Sequence, residues 1–185
     1  MGNIRQWIDE AYKTACDKGW HETRRNPYEI HALIHSEVAE TTECARSRDL
    51  PFSNKGPWIK GMKPEGEDVE LVDAVIRICD YVGELEANNA TKKIDWALDD
   101  FVNNPLTDGY VEDCKNNPLF FHQIVHNQIA RSATDAYHYH VSSLIGVIRA
   151  IAKYFAIKGW DLSFVVEAKM EFNKSREYRH GNKKF

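Results

Sequence analysis

Two acidic pairs stand out in the chain, each with its members three residues apart. Glu37 and Glu40 lie in HSEVAE (35–40), and Glu70 and Asp73 lie in ELVD (70–73). On a helix, that spacing turns both carboxylates of a pair the same way. If the two helices pack side by side, four carboxylates face one small volume. Such charges cannot share it unpaired: they take up protons or bind cations. An all-oxygen donor set suits Mg²⁺, and also Mn²⁺. The spacing therefore points to a metal-dependent active site in a helical protein.

The acids also fall where a helix should be apolar. At about 100° per residue, Glu37 sits in the middle of the stripe formed by Ile30, Leu33, Ile34 and Val38, with Glu40 at its edge. Farther on, Asp73 and Asp80 border an apolar face and Glu70 lies just beyond it. An unpaired carboxylate on a buried face costs several kcal/mol, and a cation held jointly by both helices would offset that cost. Taken singly, Glu-x-x-Glu is ordinarily a pair of solvated surface acids. Glu37 departs from that reading because it interrupts a core stripe, and the second pair reinforces the departure.

Near the C-terminus, Lys169, Asn173 and Arg176 continue the face begun by Leu162, Val165 and Val166. Basic residues in a last turn can simply answer the helix dipole. Beside a metal site they read better as a phosphate clamp, because metal plus cationic side chains is how phosphoryl chemistry is done. Arg179, His180, Gly181, Lys183 and Lys184 add donors that could fold over a polyphosphate.

Helical periodicity supplies the elements that must position these groups. Ile4, Trp7, Ile8, Ala11, Tyr12 and Ala15 mark a first helix that Gly19 closes. Asn26-Pro27-Tyr28-Glu29 opens a second helix, with Asn26 as cap, Pro27 at the first helical position and Glu29 where a capping box places its acid. Residues 51–66 are rich in Pro and Gly and read as a loop. Val69, Val72, Val75, Ile76, Cys79 and Val82 define a third helix. Residues 88–118 are polar and read as a connector, with a short helix around Ile94–Val102. Two helical stretches follow near 119–137 and 140–158. Asp161 caps a last helix that runs to about Arg176. No period-2 strand of useful length appears. The expectation is one all-α domain over 1–185: a helical bundle with a polar insertion between the third and fourth helices.

Composition narrows the function classes. The 185 residues are 43% hydrophobic and 28% charged, which fits one soluble domain with a sizeable core. A net charge of −4 argues against a broad grip on nucleic acid. No N-terminal apolar run resembles a signal peptide, and no stretch approaches a membrane span. Cys16, Cys44, Cys79 and Cys114 form no C-x-x-C pair and read as buried free thiols in a reducing cytoplasm.

The segments HSEVAETTECAR (35–46), KPEGEDVELVDAVIRICD (63–80) and KMEFNKSREYRHGNKK (169–184) together resemble the MazG-like branch of the all-α nucleoside triphosphate pyrophosphohydrolases. That superfamily includes the dimeric dUTPases and the phosphoribosyl-ATP pyrophosphohydrolases. Its signature is E-x-x-E, a spacer, then E-x-x-D. The resemblance covers about residues 26–83 and 159–184. Many members begin the first motif with two adjacent glutamates, whereas Ser36 precedes Glu37 here, and the spacer from Glu40 to Glu70 is long, at 29 residues.

The resemblance implies that Glu37, Glu40, Glu70 and Asp73 ligate Mg²⁺. It implies hydrolysis of a (deoxy)nucleoside triphosphate to the monophosphate and pyrophosphate. By the same reading, Glu43 holds a further metal or orients the water. Lys169, Asn173 and Arg176 hold phosphate oxygens, with Arg179 and Lys183 as lesser candidates. Trp58 stacks on the base or simply packs, and Asp80 supports the metal ligands from behind. A homodimer or homotetramer is the implied assembly.

Other chemistry is less well supported. His122 and His126, like His31 and His35 on the polar flank of the second helix, have H-x-x-x-H spacing that can bind zinc. Neither pair has an H-E-x-x-H context or an obvious third ligand, so both read as structural. A carboxylate-bridged di-iron bundle would need two Glu-x-x-His motifs, and only Glu177 with His180 fits. The alternative to the enzyme is a catalytically silent helical protein that binds nucleotides or acts as an interaction partner. Intact acidic motifs favour the enzyme.

Overall fold

The apolar positions of the sequence become a set of long α-helices in a computed structural model that describes residues 4–23, 25–47, 50–54, 58–91, 113–134 and 140–179. They are α1 (Ile4–Asp17), α2 (Pro27–Ser47), α3 (Glu67–Ala87), α4 (Pro118–Thr134), α5 (His140–Lys158) and α6 (Leu162–Ser175), with a 3₁₀ turn at Phe52–Asn54. There is no strand among the described residues, so the bundle is all-α as expected. The expected short helix around Ile94–Val102 and most of the polar insertion lie outside the described residues. So does the end of the expected 119–137 stretch.

The helix boundaries follow local chemistry. Asn26 Oδ1 accepts the Tyr28 amide at 3.0 Å, and Pro27 is the first residue of α2. Asp161 Oδ1 accepts the Phe164 amide at 3.0 Å and caps α6. After α1 the chain turns through Gly19 at φ +80°, a conformation that glycine adopts without strain.

Helix α3 is the axis of the bundle. It packs against α1, α2, α5 and α6, while α4 bridges α2 and α5. Its Val69, Leu71, Val72, Ala74, Val75, Ile78 and Val82 are wholly excluded from solvent. A helix with neighbours on most sides is expected to be largely apolar, yet α3 also buries Glu67, Asp68, Glu70 and Asp80. Each needs a partner. Asp68 accepts the amides of Phe52 and Ser53, both at 2.7 Å, and so fixes the 3₁₀ turn on the start of α3. Tyr154 of α5 donates to Glu67 at 2.7 Å.

The two H-x-x-x-H pairs face each other across α2 and α4. His31, expected on a polar flank, is instead buried, with Nε2 3.0 Å from Ser132 Oγ. His35 Nδ1 lies 2.8 Å from His126 Nδ1, and His122 Nδ1 lies 3.1 Å from Thr42 Oγ1. In the His35–His126 contact one nitrogen donates and the other accepts, so at least one ring is neutral. Burial lowers the pKa of both rings, and neighbouring histidines lower it further. Of the four cysteines, all free, Cys79 and Cys114 are buried, whereas Cys16 is exposed and Cys44 is intermediate. The expectation of four buried thiols holds for only two.

The approach of α1 to α3 depends on one missing side chain. A Cβ on Gly83 would stand 2.5 Å from Tyr12 Cβ. Gly83→Ala therefore costs about 1–3 kcal/mol of overpacking, against a helix-propensity gain of at most about 1 kcal/mol. Gly146 in α5 has nothing within 4 Å of the same position, so Gly146→Ala should stabilise by roughly 0.5–1 kcal/mol. Urea unfolding of both variants checks the pair; a stabilised Gly83→Ala would contradict the packing described.

Candidate active site

A cavity of about 420 Å³ opens between α1, α2, α3 and α6. Its two ends differ. One is acidic, with Glu37 and Glu40 from α2 and Glu70 and Asp73 from α3. The other mixes apolar side chains such as Ala11, Ile30, Leu33 and Ile76 with Lys18, Glu29 and the pair Arg25 and Asp80. Asp73 and Asp80 are seven residues apart on one helix, so roughly 10 Å separates the ends.

The acidic end brings three of the four expected ligands together. One carboxylate oxygen from each of Glu37, Glu70 and Asp73 lies within 4.8 Å of the others. Glu37 and Glu70 are buried and Asp73 is partly so. Glu40 lines the cavity but is exposed and stands outside this tight group. The Glu70 carboxyl is pushed up to about 7, first by burial and then by the Asp73 charge. Burial also lifts Glu37; the Arg77 guanidinium pulls it back, and Asp73 pushes it up again. Groups held this far from their ordinary range gain from a divalent cation. A compact all-carboxylate donor set fits Mg²⁺ or Mn²⁺.

Three residues of α6 and its end face the same cavity. Lys169, expected on phosphate, forms an ion pair with Asp73 at 2.6 Å and is buried. Asn173 Oδ1 is buried and has no hydrogen-bond partner among the described residues. Arg176 is half-buried and makes no direct ion pair among the described residues; burial lowers its pKa, and the Asp73 charge only partly restores it.

Other expected site residues lie elsewhere. Glu43 is exposed on α2 and pairs with Arg46 at 2.7 Å, outside the cavity lining. Trp58 packs against the core and donates its indole N–H to the Met62 carbonyl at 3.1 Å, also outside the lining. Arg179 does not reach the cavity: its guanidinium donates to the Gly19 carbonyl at 3.2 Å and meets Glu22 at 3.0 Å. Its amide donates to Lys18 O at 3.0 Å, so the chain after α6 is tied to the turn after α1. Lys183 lies outside the described residues.

Sequence reasoning missed Arg77, Arg25 and His21. Arg77 Nε donates to Glu37 Oε1 at 2.5 Å. Arg25 meets Asp80 at 2.5 Å and Glu84 at 2.6 Å, and His21 Nε2 lies 2.7 Å from Asp80. Asp80 thus belongs to a charge cluster at the far end of the cavity rather than behind the clustered carboxylates. Arg77 had one available signal, its place one turn after Asp73 on the same helix. Arg25 and His21 lie between helices, where no periodicity points to them.

Fold and site together define an all-α bundle with a carboxylate cluster at one end of an interhelical cavity. Comparison with known protein families, with curated proteins and with solved structures yields no match. No helix among the described residues is long and apolar enough to cross a membrane.

The raised Glu70 carboxyl has a measurable consequence. Unfolded, it titrates near its ordinary value of 4.5; folded, near 7. Between those values the folded protein keeps a proton that the unfolded chain releases, so stability falls as pH rises through the window. Glu37, also raised, acts in the same sense. In EDTA, the melting temperature should fall between about pH 4.5 and 7 more steeply in the wild type than in Glu70→Gln. Equal slopes would show that Glu70 is not titrating there.

Proposed function

We propose that this protein is a divalent-metal-dependent hydrolase that cleaves a (deoxy)nucleoside triphosphate to the monophosphate and pyrophosphate. The supporting observation is the convergence of Glu37, Glu70 and Asp73, with ligand atoms within 4.8 Å, in a cavity that also receives Lys169, Asn173 and Arg176. Those six residues all fall within the motifs that resemble the MazG-like pyrophosphohydrolases.

In this reading Glu37, Glu70 and Asp73 would hold Mg²⁺, or Mn²⁺, and the exposed Glu40 would add a further carboxylate. When bound, the metal supplies neutralisation of phosphate charge and a water of lowered pKa. The chain's own residues do the rest. Arg176 provides a planar, permanently charged fork for phosphate oxygens. The Asn173 amide presents its NH₂ to a phosphate oxygen once rotated, since its oxygen has no partner to keep. Water adds to the α-phosphorus and the α–β anhydride bond breaks. Pyrophosphate leaves with the bonding electrons, and one water proton is released. At the other end, Ile30, Leu33 and Ile76 offer apolar surface for the nucleoside. Assembly as a homodimer or homotetramer, and a cytoplasmic setting, belong to the same proposal.

One observation favours the second reading, a silent binding protein. Glu37 and Asp73 already carry internal cations, at 2.5 and 2.6 Å, so the cluster is partly neutralised without metal.

The deciding experiment is a panel of dNTPs, NTPs and dUTP, incubated with Mg²⁺ or with EDTA and separated by chromatography. Metal-dependent monophosphate and pyrophosphate are expected, and no turnover of any nucleotide would remove the hydrolase reading. Glu37→Gln and Asp73→Asn should each lower kcat by at least about a hundredfold, as loss of a group acting on the transition state does. Both variants should keep the helical fold by circular dichroism. Near-normal activity in both would place the chemistry elsewhere.

A further inference from the structure

The acidic cluster carries its own counterions, and the two differ in what they need before they can leave. Lys169 Nζ stands 2.6 Å from Asp73 Oδ2, and Arg77 Nε stands 2.5 Å from Glu37 Oε1. Two of the three clustered carboxylates are therefore matched by a positive charge. A divalent cation placed among the same oxygens would be repelled by both side chains at contact distance. Cation binding thus requires Lys169 and Arg77 to move away.

Arg77 can do so freely: its side chain is 39% exposed and turns into water. Lys169 cannot. Its side chain is 4% exposed, and a buried ammonium without an anionic partner is strongly disfavoured. It leaves Asp73 only for another anion. The cavity beside it is furnished to bring one in, since the half-buried Arg176 faces it without a direct ion pair among the described residues.

We propose that Lys169 and Arg77 are exchangeable counterions, and that Lys169 makes cation and polyphosphate bind as one cooperative unit. The identity of the anion rests on the reading under Proposed function; the competition between Lys169 and a divalent cation does not. Polyphosphate oxygens draw Lys169 off Asp73, and the freed carboxylate then accepts the cation. Lys169 is on this account a positioning residue, a latch on the cation site as well as a phosphate ligand. The two ligands favour each other by the same factor in either order of addition, as linkage requires.

The test is Mn²⁺ binding to the full chain, with free Mn²⁺ counted by its EPR signal and the probe anion being inorganic pyrophosphate. Free pyrophosphate complexes are subtracted. Wild type should bind Mn²⁺ at least tenfold more tightly with pyrophosphate than without. Lys169→Met should bind Mn²⁺ at least tenfold more tightly than wild type when no anion is present, and pyrophosphate should improve it little further. A wild-type affinity that pyrophosphate does not change overturns the proposal, and so does a Lys169→Met affinity equal to or weaker than wild type. If Lys169→Met does not fold, Arg77→Met provides the second measurement. It should tighten anion-free Mn²⁺ binding several-fold, and no change would overturn the exchange. Tighter Mn²⁺ binding without turnover of any nucleotide would keep the counterion exchange and remove the hydrolase reading. No Mn²⁺ binding by any of the proteins would remove both.

Discussion

Everything in this bundle answers to one constraint: the central helix packs against four others and still carries buried charge. Helix α3 contacts four other helices, so its buried carboxylates cannot turn to water. The surrounding elements supply most of them with partners instead. Helix α5 brings the Tyr154 hydroxyl to Glu67, the 3₁₀ turn brings amides to Asp68, and α6 brings Lys169 to Asp73. The connection between α1 and α2 brings Arg25 and His21 to Asp80. The Glu70 carboxylate alone among these has no hydrogen bond or ion pair among the described residues, and burial with the Asp73 charge pushes its carboxyl up to about 7. The local cost of that arrangement and the site's capacity to take a cation have the same origin.

This constraint also explains what was legible in the sequence. Glu37 could be read because it broke an apolar stripe on a helix with one wet face. Glu70 falls just outside its stripe by spacing, because stripe reasoning assumes one narrow buried face, whereas burial on α3 spreads over most of the helix and leaves only residues such as Asp73, Ile76 and Arg77 partly exposed. Arg77 looks like a solvent-facing residue one turn beyond Asp73, and only the approach of α2 shows that it reaches Glu37. Glu43 continues the i, i+3 run of α2, but by that turn the helix has rotated it toward solvent and Arg46. Trp58 and Arg179 sit in segments without periodicity, so their contacts depend on tertiary geometry.

The histidine pairs show the opposite limit. Their spacing was evident, their structural role was the plain reading, and the absence of a third ligand argued against zinc. What spacing could not show is that the two pairs sit on facing helices and join α2 to α4. The seam needs neutral imidazole, since one ring of the His35–His126 contact must accept. It is a second polar joint in the bundle, on the side of α2 that faces α4.

Both ends of the cavity are written on one helix. The carboxylate cluster and the Arg25–Asp80 pair share α3, two turns apart, and the rise per residue of an α-helix does not stretch. Rocking of α1, α2 or α6 can widen or narrow the space between the ends, but it cannot lengthen it. The helix is therefore a gauge: a molecule that touches both ends must match a span set by backbone hydrogen bonds rather than by side-chain choice. Point substitutions can retune what each end prefers, whereas a different span requires inserting or deleting a helical turn.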